Sequence, residues 1–561
     1  MNMPINEPVP PELLQFPAHR VIVIHPGSLF VRIGKATDLI PVKQLHCVAR
    51  KRRHGGKIYR DPYVPPSVPK TKELIDELEE CRLQISHTLQ TCTQSNGARR
   101  YATPPQQIAA FNRRSNPETV NDGEPWPRQR CEVVVGDRTL DIDPELPYNL
   151  HFPFRRGDFN LHAEVGGSIS SVLNDLFTIW SYIIETKLSI PITDLVRYRC
   201  VLLIPDIYSR SHLKDLMNLV LRDLGFGHCF LVQESVGATF GAGIGSACVV
   251  DVGDQKTAIS CVEDGISHKT TRLRMDYGTG DVCQILSWLF QKSAFPYKLW
   301  NENIPRDVML MRALYQDFCH VNLDVCGPQE KVFLVDHPGD VVNKYTLQVG
   351  DECIISPLAM FYTDLLTITG PKTTKIQNRL ASDPEDPFDA EFLRETGRKR
   401  ETIDPIANES QIEPIIDKEP ATNPDEDVVV DNLEAGPADL VLGPGQVLEL
   451  DAAILQSIEG CQSEELKRKM YSNILIVGGG VKVQGLALWL QNRLSLQIPY
   501  AYKTEQLEIV TSPKDIDPAC TSWKGAAIMS CLDSAMELWI NQTEWSKYGL
   551  KILRERAPFI W

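Results

Sequence analysis

The sequence predicts an α/β protein made of two duplicated halves, on three observations. Residues 21–38, VIVIHPGSLFVRIGKATD, and residues 246–275, SACVVDVGDQKTAISCVEDGISHKTTRLRM, both read as an apolar strand, a tight glycine turn and a second strand. Setting the two turns on each other places His25-Pro26-Gly27-Ser28 on Asp251-Val252-Gly253-Asp254, a separation of 226 residues. Residues 471–494, YSNILIVGGGVKVQGLALWLQNRL, add a strand, three glycines and helical period through Leu486, Leu490 and Leu494. Strands alternating with helices in this way predict mixed sheets covered by helices.

In the first hairpin the turn residues Gly27, Ser28 and Leu29 offer backbone N–H groups, and Arg32 follows on the return strand. Two such turns facing each other would clamp a phosphate between them. His25-Pro26 at the strand end also reads simply as a turn device, since proline fixes φ and ends strand pairing. Residues 57–130 are rich in Pro, Asn and Gln, and only 71–90 has helical period, so this stretch is expected to be an irregular insertion. Residues 209–224, SRSHLKDLMNLVLRDL, put Leu213, Leu216, Met217, Val220, Leu221 and Leu224 on one helical face, with Ser209 to cap it and Gly225 to end it. The second turn presents Asp251, Val252, Gly253, Asp254 and Gln255. Gly478, Gly479 and Gly480 do not make a dinucleotide fingerprint, because position 483 is valine. Close strand-to-helix packing and contact with a ligand both account for them.

Charge is unevenly spread. Residues 381–440 hold 18 Asp and Glu against 5 Lys and Arg, a local net of −13 within a chain total of −15. With repeated prolines and no period, 371–440 is expected to be a disordered acidic insertion. Residues 1–18 are expected to be a tail, leaving 19–370 and 441–561 as the core. Residues 43–60, KQLHCVARKRRHGGKIYR, carry seven Lys and Arg and no acid. Arg50, Lys51, Arg52 and Arg53 are therefore candidates for sequence-indifferent contact with DNA phosphates, and equally for a nuclear import signal. The fifteen cysteines contain no CxxC pair, so neither disulfide nor metal cluster is expected. No apolar run reaches membrane-spanning length and the N-terminus has no secretory pattern, which predicts an intracellular protein.

The motifs together resemble the actin superfamily, in its actin-related branch. The segments that carry the resemblance are VIVIHPGSLFVRIG, HFPFRRG, CVLLIPDIYSR, VVDVGDQKT, MDYGTGDV, ILIVGGG, DPACTSWKGAAIMSCLD and ELWINQTEWSKYG, in order over most of the chain. The resemblance implies the ribonuclease-H-like duplicated fold, four subdomains around a nucleotide cleft, with the two irregular stretches inserted. It implies an ATP site at Gly27, Ser28, Leu29, Arg32, Asp251, Val252, Gly253, Asp254, Gln255, Gly478, Gly479 and Gly480, with Mg²⁺ held through water by Asp251 and Asp254.

Two positions depart from the family pattern. His25 stands where a carboxylate belongs, and imidazole does not replace the hard oxygen ligands that Mg²⁺ prefers. Glu234 falls at the glutamine that positions water, with Gln233 one residue away. No catalytic residue is therefore assigned, and hydrolysis is expected to be slow or absent. The resemblance further implies a non-polymerising nuclear subunit of the Ino-eighty type of ATP-dependent chromatin remodeller, acting in transcription, repair, recombination and replication. Its implied partners are a helical docking segment of the remodeller ATPase, nuclear actin, another actin-related protein, and nucleosomes, DNA and histones, with no membrane and no filament. An independent actin-fold ATPase or phosphotransferase is the alternative, since such enzymes use the same paired hairpins.

Overall fold

Two sheets of the same plan form the molecule, described here from a computed structural model for residues 17–53, 55–128, 131–377, 446–503, 507–511 and 513–559. The first sheet orders its strands Ile540–Asn541, His228–Gln233, Arg199–Ile204, Val21–Pro26, Phe30–Lys35 and Val42–Leu45. The second follows Thr374–Ile376, Leu273–Met275, Thr257–Glu263, Ser246–Val252, Asn473–Val477 and Glu508–Val510, with Ile266–Ser267 beside Thr257–Glu263. In each half the leading strand pairs antiparallel with its hairpin mate and parallel with a later strand, which itself pairs parallel with the next. The registers coincide as well: His25 faces Arg32 in one ladder, and Asp251 faces Ala258 in the other, each 226 residues on. The duplication is thus structural, residue for residue through the turn.

The halves meet on two helices. Glu234–Ala242 follows the strand His228–Gln233, and Thr521–Met529 carries the TSWKGAA motif. Their backbones touch at glycines: a Cβ on Gly525 would lie 1.7 Å from the Gly237 carbonyl oxygen, so no larger residue fits. Trp523 is fully buried and donates its indole N–H to the Val23 carbonyl at 3.1 Å, tying this junction to the first hairpin.

Each half carries an outer unit, giving four in all. One is the sheet Val133–Val135, Val48–Lys51, Tyr148–His151; the other is Gln329–Val335, Val342–Val349, Glu118–Asn121. The expectation of an irregular 57–130 insertion is corrected here. Its helix Lys72–Thr91, capped by Thr71, buries Leu78, Cys81, Ile85 and Leu89 in the same core as Leu358 and Leu365. A second helix, Pro105–Arg114, is followed by the strand Glu118–Asn121. Asn112 on that helix donates to the Ser293 and Gln348 carbonyls and accepts from the Gln348 N–H at 2.8 Å. The first helix matches the helical period at 71–90, whereas polar composition hid the second helix and the strand, whose order comes from tertiary partners.

The helix at 209–224 begins at Ser209, whose hydroxyl accepts from the His212 N–H, and runs as Arg210–Asn218 before widening over Leu219–Asp223. Thr374–Ile376 pairs with Leu273–Met275, so the core extends beyond the boundary expected at 370. The acidic insertion from 378 onward, and the tail to residue 16, lie outside the described residues. Among the described residues no helix is long and apolar enough to cross a membrane.

Candidate nucleotide cleft

The first turn is braced from behind. His46, fully buried, donates Nδ1–H to the Gly27 carbonyl at 2.7 Å, because its Nε2 accepts the Trp180 indole N–H at 3.2 Å. Burial pulls the His46 imidazole down to about 4, against a weaker opposing pull from the Gly27 carbonyl, so it stays neutral in this role. Ser28 is buried at the turn, and Leu29 is core. Arg32 stands opposite Lys43 on the next strand. Desolvation, then the charges of Arg32 and Lys482, lower the Lys43 ammonium. Three cations thus face one another beside this turn, with Asp517 bound to Lys482 at 2.7 Å.

The second turn is gripped by the start of the helix Thr279–Lys292. Gly253 receives two hydrogen bonds on its carbonyl, from the Thr279 N–H at 3.0 Å and hydroxyl at 3.1 Å, and Gly280 N–H donates to the Asp254 carbonyl at 2.7 Å. Asp281 accepts from the Gly278 N–H at 3.0 Å and pairs with the buried Lys372 at 2.9 Å. This explains the DYGTGD run. Val252 is core, and Gln255 accepts from the Arg156 N–H at 3.3 Å.

The glycine loop divides by function. Gly478 has φ +99°, and a Cβ there would lie 2.3 Å from the Val252 carbonyl and 2.5 Å from Asp251 Oδ1. A Cβ on Gly480 would lie 2.5 Å from Thr279 Oγ1. Packing against the second hairpin therefore accounts for both. A Cβ on Gly479 would meet nothing within 4 Å, so this residue turns toward open space and its glycine is not demanded by packing. The helix begins only at Leu486, after Gly485, rather than directly on the glycines.

Across the cleft runs a charged chain that the sequence did not reveal. Glu234 Oε1 lies 3.4 Å from His25 Nε2, and its other oxygen is ion-paired with Lys256 Nζ. Burial opposes ionisation of Glu234, but Lys256 and then His25 outweigh it and hold the carboxyl at about 2. Gln233, fully buried, faces the other way: its amide donates to the Asp206 carbonyl and accepts from Arg272. Of the pair, Glu234 is the residue at the cleft. Lys256 was missed because a lysine in a polar turn carries no local signal of its partner.

The two carboxylates expected at a metal ion have different surroundings. Asp254 is bidentate to the Arg312 guanidinium, whose Nη2 also donates to the Tyr63 carbonyl at 3.0 Å. Burial raises the Asp254 carboxyl, with Arg312 opposing. Burial, then the Glu234 charge, raises that of Asp251, against Lys256, His25 and Arg32. Asp254 thus shares its charge with Arg312, as Glu234 does with His25 and Lys256, and about two of its four acceptor positions remain for the waters of a magnesium ion.

The basic stretch is also partly committed. Arg50 donates Nε and Nη2 to Asp175 Oδ1 at 3.0 and 2.7 Å, and Arg60 donates to the carbonyls of Tyr148, Pro144 and Leu146. Arg50 thus neutralises a buried acid. Lys51 and Arg53 are exposed, and half-buried Arg52 donates to the Gly56 carbonyl.

Comparison with known proteins agrees with this architecture. A family model described as Actin matches residues 17–307 and 412–558. Actin-related protein 8 of Aedes aegypti is 52% identical over 570 residues, covering 99% of this chain and 100% of its own. Actin-related protein 8 of Homo sapiens is 38% identical over 583 residues, covering 98% of this chain and 93% of its own. A solved structure described as human actin-related protein Arp8 in its ATP-bound state superposes with a TM-score of 0.83 at 36% identity, covering 99% of this chain and 100% of that one. With its duplicated hairpins, glycine loop and full-length matches, the chain belongs to the actin family, in the group of actin-related protein 8.

Proposed function

We propose that this chain is a non-polymerising nuclear subunit of an ATP-dependent chromatin-remodelling complex, holding ATP in its cleft with little or no hydrolysis. The observation that carries the reading is Glu234 at the water-positioning site, locked between His25 and Lys256. A glutamine amide both donates and accepts there, whereas an ionised carboxylate only accepts. Held at about 2, it is also a feeble proton acceptor at neutral pH. A divalent ion, when bound, neutralises phosphate charge; here Arg32 and Lys43 bring positive charge beside the first turn, while Lys482 and Lys256 are paired with Asp517 and Glu234. The relative solved with ATP supports nucleotide binding by the same cleft.

In this reading the nucleotide cements the two halves, and the outer surfaces dock a helical segment of the remodeller ATPase beside nuclear actin and another actin-related protein. Lys51, Arg52 and Arg53 contribute phosphate contacts with nucleosomal DNA, and histones are further partners. Millimolar ATP is expected to raise the melting temperature of the purified chain, with no phosphate released above background in a single-turnover assay. Absence of the shift overturns the binding half of the proposal. A single-turnover burst favours the independent ATPase reading instead.

A further inference from the structure

Asp61 stands 90 residues before His151, His162 follows 11 residues after it, and the three converge beside the outer sheet that contains Tyr148–His151. One donor atom from each falls within 4.8 Å of the other two. Asp61 sits in the segment that enters the 57–130 stretch, His151 ends the strand Tyr148–His151, and His162 lies on the loop leading to the helix Ile169–Thr186. Backbone hydrogen bonds hold the pieces in register alongside the Asp61 carboxylate, with Asn160 N–H donating to the Pro153 carbonyl at 2.9 Å ahead of His162. Asp61 N–H donates to the Leu150 carbonyl at 2.9 Å, and Leu150 N–H to the Tyr59 carbonyl at 3.0 Å. His162 N–H donates to the Gly167 carbonyl at 3.1 Å.

Two features point to a ligand. The Nδ1 atoms of His151 and His162 are both buried and have no hydrogen-bond partner in the protein, and His151 is only 6% exposed. A buried imidazole nitrogen without a partner costs free energy, and two beside one carboxylate call for a shared occupant. The second feature is the carboxylate itself. Asp61 Oδ2 accepts from the Phe152 N–H at 2.9 Å and the Asn160 amide at 3.0 Å, while Oδ1 accepts from the Tyr59 hydroxyl at 3.0 Å. That occupies three of about four acceptor positions and orients the group, as outer partners do for a metal-binding carboxylate. His151 Nδ1 lies 4.0 Å from Oδ2, too far for a hydrogen bond.

We propose that Asp61, His151 and His162 bind a divalent transition-metal ion, zinc being the expected occupant, as a structural staple. Two neutral imidazoles and a carboxylate are a donor set that zinc accepts, with a fourth position for water. Metal bonds of about 2.0–2.1 Å draw tetrahedral donors to about 3.3 Å apart. The half-buried His162, on its loop, makes that contraction by side-chain rotation. Tyr59 stacks on both rings, 4.6 Å from His162 and 5.7 Å from His151, and limits how far they turn.

The staple ties the entry to the 57–130 stretch, the outer sheet and the start of the helix that carries Trp180. The test uses the full chain stripped with a chelator and supplied with one equivalent of Zn²⁺ or Co²⁺. Expected are one zinc retained per chain through gel filtration, a zinc-dependent rise in melting temperature, and ligand-field bands with cobalt. His162→Gln and His151→Asn, each checked for folding by circular dichroism, are expected to abolish all three. Equal metal retention and equal melting shift in wild type and His162→Gln overturn the proposal. Should both variants fail to fold, the unmutated chain decides: no cobalt bands and no retained zinc overturn it.

Discussion

Glu234 and Lys256 form a buried ion pair that joins the two halves, one residue directly following a strand of the first sheet and the other lying in the turn of the second hairpin. Removing one partner leaves a desolvated charge behind. Lys256→Met is therefore expected to lower stability by about 3–5 kcal/mol, while the double variant Lys256→Met/Glu234→Gln loses less than Lys256→Met alone. Urea denaturation of both variants without nucleotide checks this. Equal loss in both shows that the pair carries no coupling.

In the proposed reading the same pair silences the water-positioning site. Glu234→Gln alone leaves His25 in place of an acid, and His25→Asp alone leaves the carboxylate locked on Lys256. Single-turnover phosphate release is expected to rise in His25→Asp/Glu234→Gln above either single variant. A double variant as slow as wild type places the block elsewhere in the cleft.

The glycine loop separates packing from ligand contact. Gly480→Ala drives a methyl against Thr279 and Val252 and is expected to destabilise the nucleotide-free chain by about 1–3 kcal/mol. Gly479→Val enters open space and is expected to leave that stability within about 0.5 kcal/mol while reducing the ATP-dependent melting shift. Calorimetry with and without nucleotide distinguishes them.

His46 makes the first turn sensitive to acid. Its value falls from 6.5 to about 4 on folding, so between these limits the unfolded chain binds the proton and the folded chain does not. Stability is therefore complete above pH 6.5 and declines as pH falls toward 4, by about 3 kcal/mol from this residue. His46→Asn keeps a donor for Gly27 without the titration. The stability difference between wild type and this variant is expected to shrink by that amount between pH 7 and pH 4; a constant difference removes His46 as the cause.

The basic stretch is tested by dividing it. Neutralising Lys51, Arg52 and Arg53 is expected to weaken DNA binding across sequences and to flatten its salt dependence by roughly 0.9 per lost phosphate contact. An import signal instead predicts unchanged affinity with cytoplasmic retention. Arg50→Ala is expected to destabilise the fold, since it strands Asp175, whose carboxyl burial already pushes up to about 6 against the pull of Arg50.

The duplicated α/β plan was legible in the sequence because its signals are local. Strand alternation and turn geometry set register over a few residues, so aligning Gly27 on Gly253 also aligned the ladders His25 to Arg32 and Asp251 to Ala258. For the glycines at 478 and 480 the sequence left strand-to-helix packing and ligand contact both open, and the close approach is to the second hairpin. Which charges meet was not legible, because it depends on packing between distant elements. Asp254 finds Arg312 on a distant helix, Glu234 finds Lys256 across the cleft, and Arg50 is drawn to Asp175 instead of solvent. The tertiary structure alone gave order to the polar stretch around Asn112 and brought Asp61, His151 and His162 together. These pairings depend on how whole sheets and helices pack, and a short window of sequence carries no record of a partner supplied by a remote part of the chain.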